Sequence, residues 1–425
     1  MITPVITGVG VVSGFGVGTA TFLDALAAGR SAVGPIQSFD ARTFPTRVAA
    51  EVPVRRADGA WLGSLGVDMA LASCWEREGR LRDRKVAFAV LAAAEAWRHA
   101  GCGPRDAADA GLSIALGLEH GFLDDFAVLL REGALDWSAD PGAALPPVRH
   151  RSTVDLAARA VEELLGLRGI TTIHASACAA GGLAVAHAAA LVRRGDADLV
   201  LCGGADSMVN PLGIGGMSRI GAPSPRSELD ACRPFDRRRD GLVIGEGAAL
   251  FVVEAEPHAL ARGARPLARL LGWGSTQDAY RLSAPRPDGS AARRAMERAL
   301  ARAGLPPSAV DYVNAHGTGT VLNDPAEVRA IRGALGAHAE RVPVSSIKGA
   351  VGHLMAASGA IEIAACLLPL QRGLCPGTAH HRERDPECDL DIVGEAPRRL
   401  AVSVALTNSF GFGGQNVSVV LGSSP

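Results

Sequence analysis

The chain has 425 residues, 48% of them hydrophobic and 20% charged, with a formal net charge of -1. That length suits two domains or one large duplicated one, and the balance is that of a folded globular enzyme, with no sign of nucleic acid as an obligate partner. The eight cysteines, at 74, 102, 178, 202, 232, 366, 375 and 388, show no CxxC spacing, so neither a zinc site nor a disulfide framework is indicated and a reducing cytoplasm fits best.

Residues 1–7 lack the basic flank of a signal peptide, and 6–12 read as a first strand. A basic stretch follows at Arg77, Arg80, Arg82, Arg84 and Lys85, diluted by Glu76, Glu78 and Asp83. Further strands are expected at 112–117, 199–203, 248–253 and 402–407, alternating with Ala-rich helical runs, which gives an α/β fold with helix-covered sheets. Residues 171–192 carry no formal charge but are dominated by Ala and interrupted by Gly, His and Ser, as suits a buried helix better than a membrane span.

Within that stretch lies the run His174-Ala175-Ser176-Ala177-Cys178-Ala179-Ala180-Gly181-Gly182, in which almost nothing is bulky enough to bury the cysteine. Residues 169–173 have the β-branched content of a strand and 183–192 the composition of a helix closing at Arg193-Arg194-Gly195, so Cys178 falls at a strand-to-helix turn. Unpaired amides and the macrodipole at a helix start favour an anion there. A thiol that ordinarily titrates near roughly 8.5 is then expected to shift towards thiolate, and the same amides can hold an oxyanion. A small buried core cysteine fits the local run equally well.

A boundary near 254–265 divides the chain into halves, 1–255 and 256–425. Helix candidates closing alike, 179–195 and 355–373, suggest an internal duplication whose two bare helices pack at the centre. In the second half, His316 follows a strand and precedes a Gly/Thr turn, and Lys348 and His353 stand five residues apart in Ser346-Ile347-Lys348-Gly349-Ala350-Val351-Gly352-His353. Of 43 basic residues only Lys85 and Lys348 are lysine, and a compact ammonium is not interchangeable with a guanidinium in a tight site. Residues 408–416, which include Phe410 and Phe412, read as a Gly-rich turn whose glycines can aim amides inward.

Together these elements resemble the β-ketoacyl-[acyl carrier protein] synthases, in the elongating branch with one cysteine and two histidines. The resemblance spans nearly the whole chain and includes Val5-Ile6-Thr7-Gly8-Val9-Gly10, Arg233-Pro234-Phe235-Asp236, Gly245-Glu246-Gly247-Ala248, and Asp324 with Glu327. It implies the thiolase fold, a duplicated five-layered αβαβα arrangement with two buried central helices, and a dimer. It also implies that Cys178 accepts an acyl chain from acyl carrier protein, with the amides of Cys178 and Phe412 as the oxyanion hole. His316 and His353 would then promote loss of carbon dioxide from the malonyl thioester, and Lys348 would support them without acting as nucleophile. Thr318 and Thr320 would hold the phosphopantetheine arm, Phe410 would lie in the substrate site, Phe412 would gate it, and Asp324 and Glu327 would support the His316 turn. No metal or redox cofactor is implied, because the malonyl carboxylate supplies the driving force.

The chain departs from the pattern at Leu116-Gly117-Leu118-Glu119-His120-Gly121, which places a carboxylate near the expected acyl pocket. Burying Glu119 against a plain alkyl chain is costly unless it is paired, which favours a functionalised, polyketide-type chain or a shortened pocket; otherwise Glu119 points elsewhere. Gln415, where threonine is more usual, has no explanation here. The acidic carrier would seek a basic patch, either 77–85 or Arg237-Arg238-Arg239. A thiolase would want a second cysteine within 410–416, a starter-unit synthase an asparagine in place of His353, and a non-catalytic chain-length subunit would lack Cys178. A non-decarboxylating acyltransferase on the same fold is disfavoured by the intact histidine pair. The chain can be the catalytic half of a heterodimer with a chain-length subunit or form a homodimer.

Overall fold

The computed structural model describes residues 2–117 and 155–424, together with the backbone of the short strands Leu130–Arg131 and Ala134–Leu135. Glu119 therefore lies outside the described residues.

The first half contributes β1 (Pro4–Ser13), β2 (Gly111–Leu116), β3 (Thr171–His174), β4 (Leu199–Asp206) and β5 (Gly247–Ala255). The second contributes β6 (Ala268–Gln277), β7 (Tyr312–Asn314), β8 (Val344–Ser345), β9 (Val404–Gly411) and β10 (Gln415–Ser423). Their spatial order is β8-β7-β9-β10-β6-β1-β5-β4-β2-β3, so each half is ordered alike outward from a shared β1–β6 seam. The orientations repeat as well: the two pairs nearest the seam are antiparallel and the two outermost are parallel. Even the irregularities match, with register shifts between Ile6 and Gly8 and between Leu270 and Gly272.

Four helices complete the layers: α1 (Arg84–His99), α2 (Ala180–Arg194), α3 (Ser290–Ala303) and α4 (Ser358–Arg372). α1 covers the outer face of the first half-sheet and α3 that of the second, while α2 and α4 pack on each other between the sheets, giving the five-layered αβαβα thiolase fold. α2 and α4 are each 15 residues long. A three-residue 3₁₀ turn leads into each, headed by a residue with positive φ, Ala177 at 47° and Met355 at 46°. Both close at a left-handed glycine, Gly195 and Gly373.

Their closeness depends on glycine. A Cβ at Gly359 would lie 2.4 Å from the Gly182 amide nitrogen, and one at Gly181 would lie 2.7 Å from that of Ala360. The core therefore spends its smallest side chains at the crossing, and larger residues such as Val185, Ile361 and Leu368 fill the space on either side. One expected loop is absent. Residues 408–416 are the end of β9, a tight turn over Phe412, Gly413 and Gly414, and the start of β10, so Phe410 lies in a strand; pairing with β10 carries β9 through to Gly411.

Gly359→Ala is expected to destabilise the chain by about 3 kcal/mol, because neither backbone at the crossing can retreat without moving a sheet. Urea unfolding monitored by circular dichroism would show this as a lowered midpoint at unchanged slope, and an unchanged midpoint would refute the close-crossing account.

Candidate active site

Cys178 lies in the 3₁₀ turn between β3 and α2, as the strand-to-helix reading requires, but it is not bare. Ile244, Met355, Val209, Ile214 and Met217 belong to the apolar cluster that encloses it, leaving it 6% exposed. Burial pushes its thiol up to about 12, against the pull of the Lys348 ammonium and the Phe412 amide. The expected shift towards thiolate is thus reversed: segments distant in sequence seal the turn, and their desolvation outweighs the favourable field of the helix start.

Gly411 brings the two candidate oxyanion donors together. A Cβ there would sit 3.3 Å from the Cys178 nitrogen and 3.0 Å from the Ser176 carbonyl oxygen, tighter than ordinary contact, so glycine eases the approach of β9 to this turn, where the Phe412 amide reaches the Cys178 thiol. The Gly413 amide donates to the Leu282 carbonyl at 2.6 Å, and that of Gly414 to the Gly411 carbonyl at 3.0 Å.

The histidines meet edge to face, with ring centroids 5.4 Å apart, and the Phe410 ring lies 5.6 Å from that of His316. His353 is placed by its backbone: its amide donates to Val243, and its carbonyl accepts from Gly245. The Gly245-Glu246-Gly247 motif serves here, since a Cβ at Gly245 would lie 2.3 Å from the Val351 carbonyl oxygen. His353 Nδ1 accepts from the Met355 amide at 3.0 Å and lies 2.8 Å from Ser358 Oγ, which puts the ring proton on Nε2. His316 follows β7, and its Nδ1 lies 3.2 Å from Lys348 Nζ, a donor, so its proton also resides on Nε2. Burial first, and then the Lys348 charge, holds both imidazoles well below the ordinary histidine range, so both are neutral. Among the described residues no protein group hydrogen-bonds either Nε2.

Lys348 begins a four-residue helix, Lys348–Val351, and is 1% exposed. Its Nζ donates to the His316 carbonyl oxygen at 2.5 Å, to His316 Nδ1 and to Glu362 on α4, which uses all three protons. Glu362 also accepts from Ser409 Oγ, and burial pushes its carboxyl up to about 7 against the pull of Lys348. Glu327 accepts from the amides of His316 and Gly317, each at 2.8 Å, and from Asn408, so it fixes the backbone of the His316 turn. Asp324 does the same one turn away, accepting from the amides of Phe235 and Gly319. Thr318 is buried, and its hydroxyl pairs with that of Thr320 at 2.9 Å on the same loop.

Cys178, His316, His353, Lys348, Phe410 and Phe412 are therefore brought together, with Thr318 and Thr320 on the loop beyond His316. Sequence reasoning missed Glu362, Ser358, Asn408 and Ser409. A lone carboxylate inside the otherwise apolar Ser358–Arg372 helix was the one available signal. Each basic stretch is split: Arg77, Arg82 and Arg237 are exposed, whereas the other members are paired or buried. Lys85 is fully buried against Asp83, Arg84 pairs with buried Glu246, Arg80 with Glu78 and Glu163, Arg238 with Asp236 and buried Arg239 with Asp385. Among the described residues no cluster of three or more His, Cys, Asp or Glu side chains could hold a metal, and no helix is long and apolar enough to cross a membrane.

Residues 4–259 match the profile of the beta-ketoacyl synthase N-terminal domain, and residues 267–382 that of the beta-ketoacyl synthase C-terminal domain. The 3-oxoacyl-[acyl-carrier-protein] synthase 2 of Coxiella burnetii is 36% identical over 98% of this chain and 97% of its own length. The tetracenomycin polyketide synthase ketoacyl synthase alpha subunit of Streptomyces glaucescens is 35% identical over 98% of this chain and 96% of its own. A solved structure, the ishigamide ketosynthase/chain length factor, superposes with a TM-score of 0.86 at 34% identity, covering 100% of both chains. With both halves matched in order around a cysteine and two neutral histidines, the chain belongs to the β-ketoacyl synthase family.

Proposed function

We propose that the chain condenses malonyl-[acyl carrier protein] with an acyl group held as a thioester on Cys178, extending a polyketide-type chain. The observation that carries this reading is the pair of neutral imidazoles, each with its proton on Nε2, beside a thiol at a helix start. Two neutral N–H donors can bind the thioester carbonyl oxygen of a malonyl group without forming a salt bridge to its carboxylate, which must leave as carbon dioxide.

In the first half-reaction, Cys178 Sγ attacks the acyl thioester carbonyl and its proton passes to the departing phosphopantetheine thiolate. The amides of Cys178 and Phe412 take the oxyanion. In the second, the carboxylate carbon–carbon bond breaks and its electron pair enters the enolate, whose oxygen is held by His316 and His353. The enolate carbon attacks the Cys178 thioester and expels the Cys178 thiolate, which takes up a proton from water. Lys348 anchors the His316 ring, Thr318 and Thr320 hold the arm, and Phe412 gates the chamber. Decarboxylation supplies the driving force, so the reaction is proposed to need no metal or redox cofactor.

The polyketide assignment is supported by the alpha-subunit and ketosynthase/chain length factor relatives; the fatty-acid relative supports the alternative. β3 is an edge strand, with Ile170 at its start 52% exposed, which suits pairing across a dimer with a second copy or a chain-length subunit. The described cysteines are all free and six of the eight are buried, as fits the cytoplasm.

Incubation with a panel of acyl carrier proteins should add one acyl group to the wild-type chain by intact mass, none to Cys178→Ala, and condensation in that variant should fall by at least about 10³-fold. Acylation of Cys178→Ala would refute the mechanism. Preference for functionalised over saturated long chains in the same panel is expected, and the reverse would move the assignment to fatty acid synthesis. Because burial raises the thiol pKa to about 12, iodoacetamide labelling of Cys178 in the free protein should increase roughly tenfold per unit between pH 7 and 9.5. A plateau in that range would show that the thiol is already ionised. Lys348→Met should cost about 3–5 kcal/mol in urea unfolding by stranding Glu362, and Lys348→Met with Glu362→Gln should recover most of it.

A further inference from the structure

The chain's other lysine, Lys85, belongs to a buried polar group that reaches the turn carrying Met355 through Asp206. It stands in the first turn of α1, fully buried, with Nζ 2.8 Å from Asp83 Oδ2 and donating to the Gly117 carbonyl at 3.3 Å. Asp83 also accepts from Ser207 Oγ at 2.7 Å. Next to Ser207 is Asp206, the last residue of β4, 1% exposed and feeling the Lys85 charge. Its Oδ1 accepts from the Ser207 amide at 2.8 Å, and its Oδ2 accepts from the Ala356 amide at 2.9 Å. A Cβ at Gly117 would lie 2.3 Å from both carboxylate oxygens, so the space admits this carboxylate and little else.

The Ala356 amide is one of two consecutive donors in the turn before α4. The other, that of Met355, donates to His353 Nδ1 and, with Ser358 Oγ 2.8 Å from the same nitrogen, keeps the ring proton on Nε2. Met355 holds a positive φ of 46°, a conformation that a side-chain-bearing residue keeps only when its surroundings impose it.

The duplication shows what Asp206 adds. β4 and β9 are each eight residues long, and each ends opposite the first residue of its partner strand, Asp206 opposite Gly247 and Gly411 opposite Gln415. Asp206 is therefore the counterpart of Gly411, and Ala356 that of Cys178. In one half glycine leaves the helix-start amide open to bind an oxyanion. In the other a carboxylate closes it.

We propose that Asp206, with Lys85 alongside, is a positioning residue for His353: by capping Ala356 it fixes the left-handed Met355 turn and keeps the Met355 amide aimed at Nδ1, so that Nε2–H faces the malonyl thioester. Asp206 touches no substrate and moves no proton. The assignment rests on the function proposed above for the decarboxylating half-reaction, which uses His353, whereas loading of Cys178 does not.

The full chain, with any partner subunit it requires, would be compared with Asp206→Ala and the near-isosteric Asp206→Asn. Three quantities would be read: the rate of Cys178 acylation by intact mass, carbon dioxide release from malonyl-[acyl carrier protein], and the ring ¹⁵N shifts of His353. Because the Asp206 charge also raises the Cys178 thiol, its removal should leave acylation no slower than about threefold below wild type. The kcat for carbon dioxide release should fall by about thirtyfold or more in Asp206→Ala, with KM little changed, and by less in Asp206→Asn, which retains an acceptor for Ala356. The ¹⁵N shifts should report Nε2–H in wild type and a mixture of tautomers in the variants. Equal loss of both half-reactions, an unchanged rate of carbon dioxide release, or an unchanged tautomer would each overturn the proposal. Should Asp206→Ala fail to fold, Asp206→Asn still decides it. A wild-type chain that loads no acyl group on Cys178 would instead overturn the proposed function, and the tautomer measurement would still test Asp206.

Discussion

The site depends on one dry ammonium. Lys348 is enclosed, and its three protons go to Glu362 on α4, to the His316 carbonyl and to His316 Nδ1. Taking an ammonium out of water is repaid only where every proton finds an acceptor, so the lysine fixes the distance between the His316 loop and the central helix. It also determines the state of both histidines, since its charge works with burial to keep the two rings neutral. Arginine could not take its place. A planar fork satisfies coplanar acceptors, whereas these three converge from a helix, a loop carbonyl and a ring.

The same dryness acts on the nucleophile against ionisation. An exposed thiolate would attack more readily, yet the thiol is held neutral by the segments that enclose it. A chamber wet enough to ionise Cys178 would solvate the malonyl carboxylate and hydrate the imidazoles, weakening the two N–H donors that the second half-reaction needs. In the proposed mechanism loading therefore relies on the proton moving as the carbon–sulfur bond forms, with the Cys178 and Phe412 amides as the proposed receivers of the charge.

Much of this was legible because each functional side chain sits in a Gly-rich turn with its own local pattern: Cys178 before α2, His316 after β7, Lys348 and His353 in one short run, Phe412 between β9 and β10. What was not legible lacks any such pattern. Glu362, Ser358, Asn408 and Ser409 gain their roles only from how the fold packs them around Lys348, His353 and Glu327. The direction of the Cys178 shift was misread for the same reason: its neighbours in sequence are small, but Ile244, Met217 and Met355 reach it from elsewhere. The basic stretches were legible only in part, because a count of arginines cannot show that Arg84 and Arg239 point inward to Glu246 and Asp385 while Arg77, Arg82 and Arg237 stay exposed. Residues 408–416 look like a loop because glycine weakens a strand pattern, yet here glycine eases the strand's approach to Cys178.

Duplication alone would have produced two equivalent helix starts, each with unpaired amides and neither suited to both tasks. The strand ends break the equivalence. Gly411 keeps the first helix start free, so that its amide can stabilise charge that exists only during reaction. Asp206 occupies the second, converting a spare donor into a fixed strut against which the Met355 turn, and through it the His353 ring, is braced. An enzyme that must both receive an oxyanion and hold a neutral imidazole in one tautomer needs one open and one closed helix start. The fold supplies both from a single repeated unit by changing the residue at one strand end.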